Sequence, residues 1–212
     1  MTVSEGMYAS MRSAVLRGEF EPGQALKPQE LATRHGVSLA VAREALLRLV
    51  GEGLADRRPN RGFAVPATGA DRWQQIAEAR SLLEPAALRL AVARGDLEWE
   101  AAVRAAHHRL AGTPFHDREG DAGVGDAWAE AHRRFHRALL EGCGNDVVLQ
   151  TFDRLWTAGE LARRWSPVAD PSRDAAAEHR ALEQAALSRD ADRAADLLCH
   201  HVLRTAAALR PE

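Results

Sequence analysis

Apolar residues recur at helical spacing through most of the chain. In the N-terminal part, glycines and prolines divide this pattern into separate helices. An apolar residue every three or four positions gives a helix one hydrophobic face, which predicts an amphipathic helix packed on a core. Pro28 suits a first helical turn, Gly36 suits a helix end, and Ser38 suits the N-cap of the next helix. The first three helices are predicted over residues 7–17, 28–35 and 39–50.

The periodicity changes to that of short strands after the third helix. Residues 54–57 and 62–66 are predicted to be strands, and the segment from Pro59 to Gly62 is typical of a hairpin turn. Three helices followed by a hairpin are the layout of a winged helix-turn-helix, and a short glycine-containing turn before the third helix supports it. The alternative is a three-helix bundle with no role in DNA binding, which the arginines of the hairpin disfavour.

Nearly all of the chain beyond a predicted linker at residues 67–71 again has helical periodicity. Residues 113–125 are rich in Gly, Asp and Pro and are predicted to form a loop. The remaining helices are predicted over residues 72–94, 96–111, 124–142, 145–165, 172–188 and 190–209. The fold class is therefore mostly α, with a winged helix-turn-helix over residues 1–68 and an all-α bundle of about six helices over residues 69–212.

Charge separates the two predicted domains. The 212 residues carry a formal net charge of −2, but residues 1–68 hold nine Lys and Arg against seven Asp and Glu. A local excess of positive charge suits a small DNA-binding module, although a solvated surface would look the same. The two cysteines, the lack of a signal-peptide pattern and the lack of a membrane-length apolar stretch predict a cytoplasmic protein.

Four N-terminal segments resemble the GntR family of winged-helix regulators: RGEFEPGQAL, ELATRHGVS, REALLRLVGEGL and RPNRGFAV. Three later segments resemble the helical ligand-binding (FCD) domain of its FadR-type subgroup: ARSLLEPAALRLA, HRRFHRALLEGCGN and EHRALEQAALSRDADRAADLLCHH. ARGDLEWEAAV and FHRALLEGCGN are most similar to the glutarate- or carbon-starvation-type regulators. The resemblance implies a homodimeric transcription regulator, here predicted to be a repressor that binds an inverted-repeat operator.

A recognition helix presents its N-terminal residues to base edges in the major groove, and a wing contacts the minor groove or phosphates. The predicted DNA-binding residues are Gln29, Ser38, Leu39, Ala40, Arg43, Arg48, Arg58, Arg61 and Gly62. Arg43 lies off the apolar stripe, so it is free to contact a guanine or a phosphate. The resembled family commonly has Ser-Arg-Thr-Pro where this chain has Ser38 to Val41, so its usual operator is not expected here.

Four of the nine histidines form a pattern. His132 and His136 lie four apart on one helix, so they share a face. His179 and His201 lie at similar distances from the turn between the last two helices, which places them at similar height in an antiparallel hairpin. Four imidazoles converging in a bundle predict a divalent transition-metal site, most simply for Zn or Ni. Four polar histidines without a metal are the alternative.

The resemblance supports a metal, because these sensor domains often hold one with one Asp and three His. His132 stands where the resembled domain usually has the Asp. The resemblance also implies that Arg80 binds a small carboxylate effector, possibly a dicarboxylate such as glutarate, although Arg80 is equally placed to pair with Glu84. Asn145 is a second effector-binding candidate, but its position after a glycine also suits a helix cap.

Two other classes of protein remain possible from the residues alone. A histidine cluster in a bundle could make the chain a metal-dependent enzyme, but no general base lies beside it and neither cysteine is marked as a nucleophile. An architectural DNA-binding protein would need no ligand pocket. The regulator is the interpretation that accounts for both halves of the sequence.

Overall fold

A computed structural model describes residues 2–59, 62–67, 70–117, 124–165 and 173–208. The described part of the chain contains a winged helix-turn-helix followed by a helical bundle. The mostly α fold class and both architectures agree with the sequence-based prediction. The exact division at residues 68 and 69 remains a prediction.

Helix α1 (Val3–Leu16) begins four residues earlier than its apolar pattern predicted. The Thr2 hydroxyl accepts a hydrogen bond from the backbone N–H of Glu5 at 3.2 Å, and the Glu5 carboxylate accepts from the backbone N–H of Thr2 at 2.6 Å. This reciprocal capping box satisfies donors that would otherwise be exposed at the helix start. The prediction missed the Thr-x-x-Glu signature because it followed hydrophobic spacing alone.

The helix-turn-helix is formed by α2 (Pro28–His35) and α3 (Leu39–Glu52). The Ser38 hydroxyl caps α3 by accepting a hydrogen bond from Val41 N at 3.3 Å. Gly36 ends α2 in the left-handed conformation, with φ of +63°, where a side chain would be strained. Both predicted limits of α2 and the predicted start of α3 are confirmed, and α3 continues two residues beyond its predicted end.

The wing is a three-stranded antiparallel sheet in the order β1–β3–β2. Its strands are β1 (Ala25–Leu26), β2 (Asp56–Arg58) and β3 (Gly62–Ala64). The hairpin of β2 and β3 was predicted, although both strands are shorter than expected. Strand β1 was not predicted, because two residues carry no periodicity and Leu26 is held in place by pairing with Phe63 of β3.

Six described helices form the second domain: α4 (Ala70–Arg94), α5 (Leu97–Gly112), α6 (Asp126–Glu141), α7 (Asp146–Trp165), α8 (Ala175–Leu187) and α9 (Ala191–Ala208). All six were predicted to within a few residues. Helix α4 begins inside the segment predicted to be a linker. None of the described helices is long and apolar enough to cross a membrane.

Helices α4 and α9 run antiparallel along the bundle. Trp73 Nε1 donates to the Ala206 carbonyl at 3.2 Å near one end, and Arg89 pairs with Asp192 at 2.9 Å near the other. The core beside them is apolar and contains Leu88, Phe135, Leu139, Leu140, Phe152 and Leu182. Because α6, α8 and α9 meet in this core, polar residues on their inner faces are removed from water.

Helix α7 packs on both domains. Leu161 is buried in the core of the winged helix-turn-helix. The Ala158 methyl lies 3.7 Å from the position a Cβ on Gly53 would take, next to the end of α3. Trp156 of the same helix joins the core of the bundle. One helix therefore contacts the winged helix-turn-helix and the interior of the bundle.

Candidate metal centre and DNA-binding surface

Four buried histidines converge in the interior of the bundle. His132 and His136 lie one turn apart on α6, His179 lies on α8 and His201 on α9. One ring nitrogen of each lies within 4.8 Å of the corresponding nitrogen of every other, and their residues are at most 5% exposed. The structure thus brings together the four residues that the sequence predicted to meet.

The environment keeps these imidazoles neutral. Burial, followed by neighbouring cationic groups, lowers the pKa of His132, His136 and His179 well below its usual value. Burial also lowers the pKa of His201 to about 4, against the opposing effect of a hydrogen bond to Glu178. A neutral imidazole keeps a lone pair for a metal, whereas an imidazolium does not.

A carboxylate orients one of the histidines. His201 Nδ1 donates to Glu178 Oε2 at 2.8 Å, and the Arg173 guanidinium also bonds Glu178, at 2.6 Å. Burial alone would raise the pKa of Glu178, but these two hydrogen bonds hold it well below its usual range. Such a carboxylate–histidine pair directs the other ring nitrogen towards a metal.

The strongest sign that the cluster suits a metal is His136. Among the described residues neither of its ring nitrogens has a hydrogen-bond partner, although the residue is only 1% exposed. An unpartnered buried polar group costs about 1–3 kcal/mol, so such groups call for a physical explanation. A transition metal bound by the cluster would take up one of these nitrogens, and an all-imidazole set suits Zn or Ni.

Two buried ion pairs lie beside the cluster. Arg80 pairs with Glu84 on α4, as the alternative interpretation of that arginine predicted, and its guanidinium also lies 4.8 Å from the centre of the Trp156 ring. Arg163 of α7 pairs with Glu160 one turn earlier. Each cation is therefore already neutralised by a carboxylate of its own helix.

A small cavity lies among these two arginines and two of the histidines. It is lined by Arg80, His132, Trp156, Glu160, Arg163 and His201 together with neighbouring residues. Its volume of about 10 Å³ is close to the minimum that a single water needs. Asn145 does not line it: the exposed Asn145 side chain caps α7 by accepting from the backbone N–H groups of Val147 and Val148 at 3.1 and 3.2 Å.

Three of the predicted DNA-binding residues line a second feature, an open groove between α3 and the wing. The groove has a volume of about 800 Å³, and Arg43, Arg58 and Gly62 line it with the exposed Arg57 and Leu47. Basic side chains on both walls suit a polyanion. At the start of the helices, Gln29, Ser38, Leu39 and Ala40 are all exposed.

Another predicted contact, Arg48, lies elsewhere. The Arg48 guanidinium stacks on the Tyr8 ring at 3.9 Å and does not line the groove. Tyr8 in turn donates to Glu52, and burial together with that carboxylate raises the pKa of Tyr8 to about 12. Arg61 lies outside the described residues.

The fold, the histidine cluster and the basic groove together define a class of protein: a winged-helix DNA-binding protein joined to a helical domain with a buried polar site. Residues 3–65 match the family described as bacterial regulatory proteins, gntR family, and residues 75–204 match the FCD domain. The chain therefore belongs to the GntR family and carries an FCD domain. Both families contain transcriptional regulators, so the chain is a DNA-binding regulator and not an enzyme.

Similar proteins agree with this assignment. The chain is 33% identical over 199 residues to the uncharacterized HTH-type transcriptional regulator BphR of Paraburkholderia xenovorans, covering 93% of this chain and 81% of BphR. It is 31% identical over 204 residues to the HTH-type transcriptional repressor GlaR of Escherichia coli, covering 92% and 90%.

Solved structures share the fold. Escherichia coli McbR/YncC superposes with a TM-score of 0.74 at 20% identity, covering 99% of this chain and 97% of that one. A putative GntR regulator from Rhodococcus sp. RHA1 superposes with a TM-score of 0.70 at 21% identity, covering 97% and 96%.

Sequence reasoning missed several residues of the site. Arg163 and Glu160 were not singled out, because an i,i+3 charge pair is common on solvated helix faces. Glu178 was also missed, although it directly precedes His179. Trp156 packs in the core and also lines the cavity. Only the packing of α7 against α4 and α6, and of α8 against α9, shows which of these polar residues face inward.

Proposed function

We propose that the protein is a homodimeric repressor whose binding to an inverted-repeat operator is controlled by a small carboxylate, bound beside a metal ion in the histidine cluster. We propose the repressor role because GlaR, which is 31% identical to this chain, is a transcriptional repressor by name. Its place of action would be the cytoplasm, where the operator is.

The observation that carries the proposal is the unpartnered imidazole of His136 within four converging histidines. Zn and Ni accept imidazole ligands readily, whereas Mg and Ca prefer oxygen. When bound, the ion supplies positive charge and a coordination position for an oxygen of the effector.

Arg80 and Arg163 support a carboxylate as the effector. Guanidinium groups bind carboxylates through two parallel hydrogen bonds, and a dicarboxylate such as glutarate has a second group for such a contact. Because the cavity has room for about one water, the effector must displace side chains. The Glu160 carboxylate is the simplest group to displace, since an effector carboxylate can replace it on Arg163.

Helix α7 supports the link between effector and DNA. Its residues Trp156, Glu160 and Arg163 line the cavity, while Leu161 lies in the core of the DNA-binding domain. Trp156 and Glu160 also line a second cavity of about 280 Å³ that includes Tyr8 and residues of α1. A shift of α7 on effector binding would therefore change how the winged domain is held, which is linkage between two sites.

The test combines metal analysis with DNA binding. An operator fragment is selected from a random DNA pool with the purified protein, and small carboxylates are then screened for release of that fragment, with and without chelator. We expect about one Zn or Ni ion per chain. We also expect the acid response to be lost in the double variant His136→Ala/His179→Ala, with DNA binding retained. His108→Ala, at an exposed histidine, is the matched control.

The proposal fails if protein purified without chelator holds no metal and added Zn or Ni gives no thermal shift. It also fails if the double variant responds to acid as the unmodified chain does.

A further inference from the structure

The four histidines are not equivalent, because their hydrogen bonds place their protons differently. The Arg163 guanidinium contacts His132 Nδ1. A guanidinium has donors and no acceptor, so Nδ1 must accept, and the proton of the neutral His132 ring lies on Nε2. Trp128 stacks on the His132 ring, with centroids 4.5 Å apart and an interplanar angle of 29°. The ring is therefore held in this orientation from two sides.

The proton on His132 Nε2 already has an acceptor within the cluster. His179 Nε2 lies 3.0 Å away, so His132 donates and the His179 nitrogen accepts with its lone pair. His132 thus turns an N–H, rather than a lone pair, towards the other histidines.

The remaining histidines are prepared as ligands. His201 Nδ1 lies 2.8 Å from a carboxylate oxygen of Glu178 and 3.2 Å from Arg173 Nη2. The carboxylate is the closer of the two, and Arg173 Nη2 already donates to Glu178. The proton of His201 therefore lies on Nδ1, and Nε2 keeps a lone pair. His136 has both ring nitrogens unpartnered. Three lone pairs and one N–H consequently face the same small volume.

We propose that His136, His179 and His201 bind the metal, and that His132 is instead a fixed hydrogen-bond donor to the anionic oxygen that completes the coordination of the ion. This inference rests on the proposed function and specifies the ligand recognised at the same site. An ion that takes the lone pair of His179 removes the acceptor of the His132 N–H. That N–H is then available to a carboxylate oxygen bound beside His179.

The charges around the site favour an anion there. Three neutral imidazoles leave the two charges of the ion uncompensated, and each neighbouring arginine is paired: Arg80 with Glu84, Arg163 with Glu160, and Arg173 with Glu178. A donor N–H favours an oxygen with free lone pairs and disfavours an amine or ammonium group. His132 is therefore a residue that selects carboxylates.

The test compares three variants of the full chain. His132→Gln keeps an N–H close to the position of Nε2, His132→Ala removes it, and His136→Ala removes a ligand. Zn affinity is measured by competition with a chelating dye, and Co(II) is added for its visible absorption, with acetate titrated as the probe. We expect both His132 variants to bind one ion within about tenfold of the unmodified affinity, and His136→Ala to bind at least about a hundredfold more weakly.

Acetate should perturb the Co(II) spectrum of the unmodified chain and of His132→Gln. It should bind His132→Ala about tenfold more weakly, as expected for loss of a hydrogen bond to a charged group. A nitrogen-15 NMR spectrum of histidine-labelled, Zn-loaded protein gives a readout that does not depend on mutation. Among the signals of the nine histidines, it should show a metal-free ring with its proton on Nε2 that is absent from the spectrum of His132→Gln.

Three results would overturn the inference. If His132→Ala loses Zn affinity as severely as His136→Ala, then His132 is a fourth ligand of the metal. This result would overturn the inference but leave the proposed function standing. A Co(II) spectrum of the unmodified chain that is insensitive to acetate would remove the anion from the site. An unmodified chain that binds neither Zn nor Co(II) would overturn both this inference and the proposed function.

Discussion

Among the described residues, the protein leaves the buried imidazole of His136 without a hydrogen-bond partner, at the edge of a core of leucine and phenylalanine. The cluster brings its neighbours His132, His179 and His201 close enough that their charged forms repel one another, in addition to the cost of burial. An apolar residue at the same place would avoid these costs. The metal ion that we propose would account for this position, because it would take up one of the two unpartnered nitrogens.

Arg43 is the residue of the DNA-binding surface for which we predict the largest effect. It is exposed on α3 and lines the groove beside the wing. Arg43→Ala should weaken binding to the selected operator by about 1–3 kcal/mol, because a good base contact is lost. Competitive anisotropy against non-operator DNA measures this. Arg104→Ala, at an exposed arginine of α5, is the control. Operator affinity within twofold of the unmodified chain would show that α3 is placed wrongly on DNA.

A wing contact should behave differently from a base contact. Arg58→Ala is expected to weaken binding to operator and non-operator DNA alike and to reduce the slope of log K against log salt concentration by about one, since a phosphate contact releases a counterion. Titrations at several salt concentrations test this. A loss confined to operator DNA would instead make Arg58 a reader of bases. We expect the same of Arg61→Ala.

At the scale of elements, α7 has two environments. One part of its surface lines the cavity beside the histidines, and Leu161 fills the core formed by α1, α3 and the wing. Gly159 permits a close approach, because a Cβ there would lie 3.1 Å from the Trp73 ring. A helix packed this closely moves as a unit, since a protein core resists continuous deformation.

Leu161→Ala should therefore affect both stability and regulation. Removing a buried leucine side chain is expected to cost about 2–5 kcal/mol in the free energy of unfolding. We also expect the ratio of operator affinities without and with effector to fall towards one, because α7 loses its main packing contact with the DNA-binding domain. Leu182→Ala, equally buried in the bundle core, is the matched control. An unchanged ratio in Leu161→Ala, at comparable destabilisation, would exclude α7 as the link.

At the scale of the whole molecule, one winged domain offers one groove to DNA. A single recognition helix contacts too few base pairs for useful specificity, whereas a two-fold dimer doubles the site and matches an inverted repeat. We predict that light scattering gives twice the 23.1 kDa chain mass for the free protein and two chains per operator fragment in the complex. A mass of one chain at micromolar concentration, together with one chain per operator fragment, would contradict this.

The sequence by itself determined the elements and much of their chemistry. The caps at Ser38 and Gly36 and the helical period of the bundle act over one or two turns, so they can be read from neighbouring residues. The spacing of His132 and His136 likewise places both on one face of α6 whatever surrounds that helix. The resemblance to GntR regulators came from the same local segments and was confirmed by the family matches.

Only the tertiary structure decided what those side chains meet. Strand β1 exists because β3 pairs with it, and Arg48 faces Tyr8 because α1 packs across α3. The contact of Arg163 with His132 joins residues 31 positions apart, on helices that no local signal relates. Hydrogen bonds and burial between elements depend on how helices pack, which is a property of the whole core. The proton positions that distinguish His132 from the other histidines therefore follow from the fold.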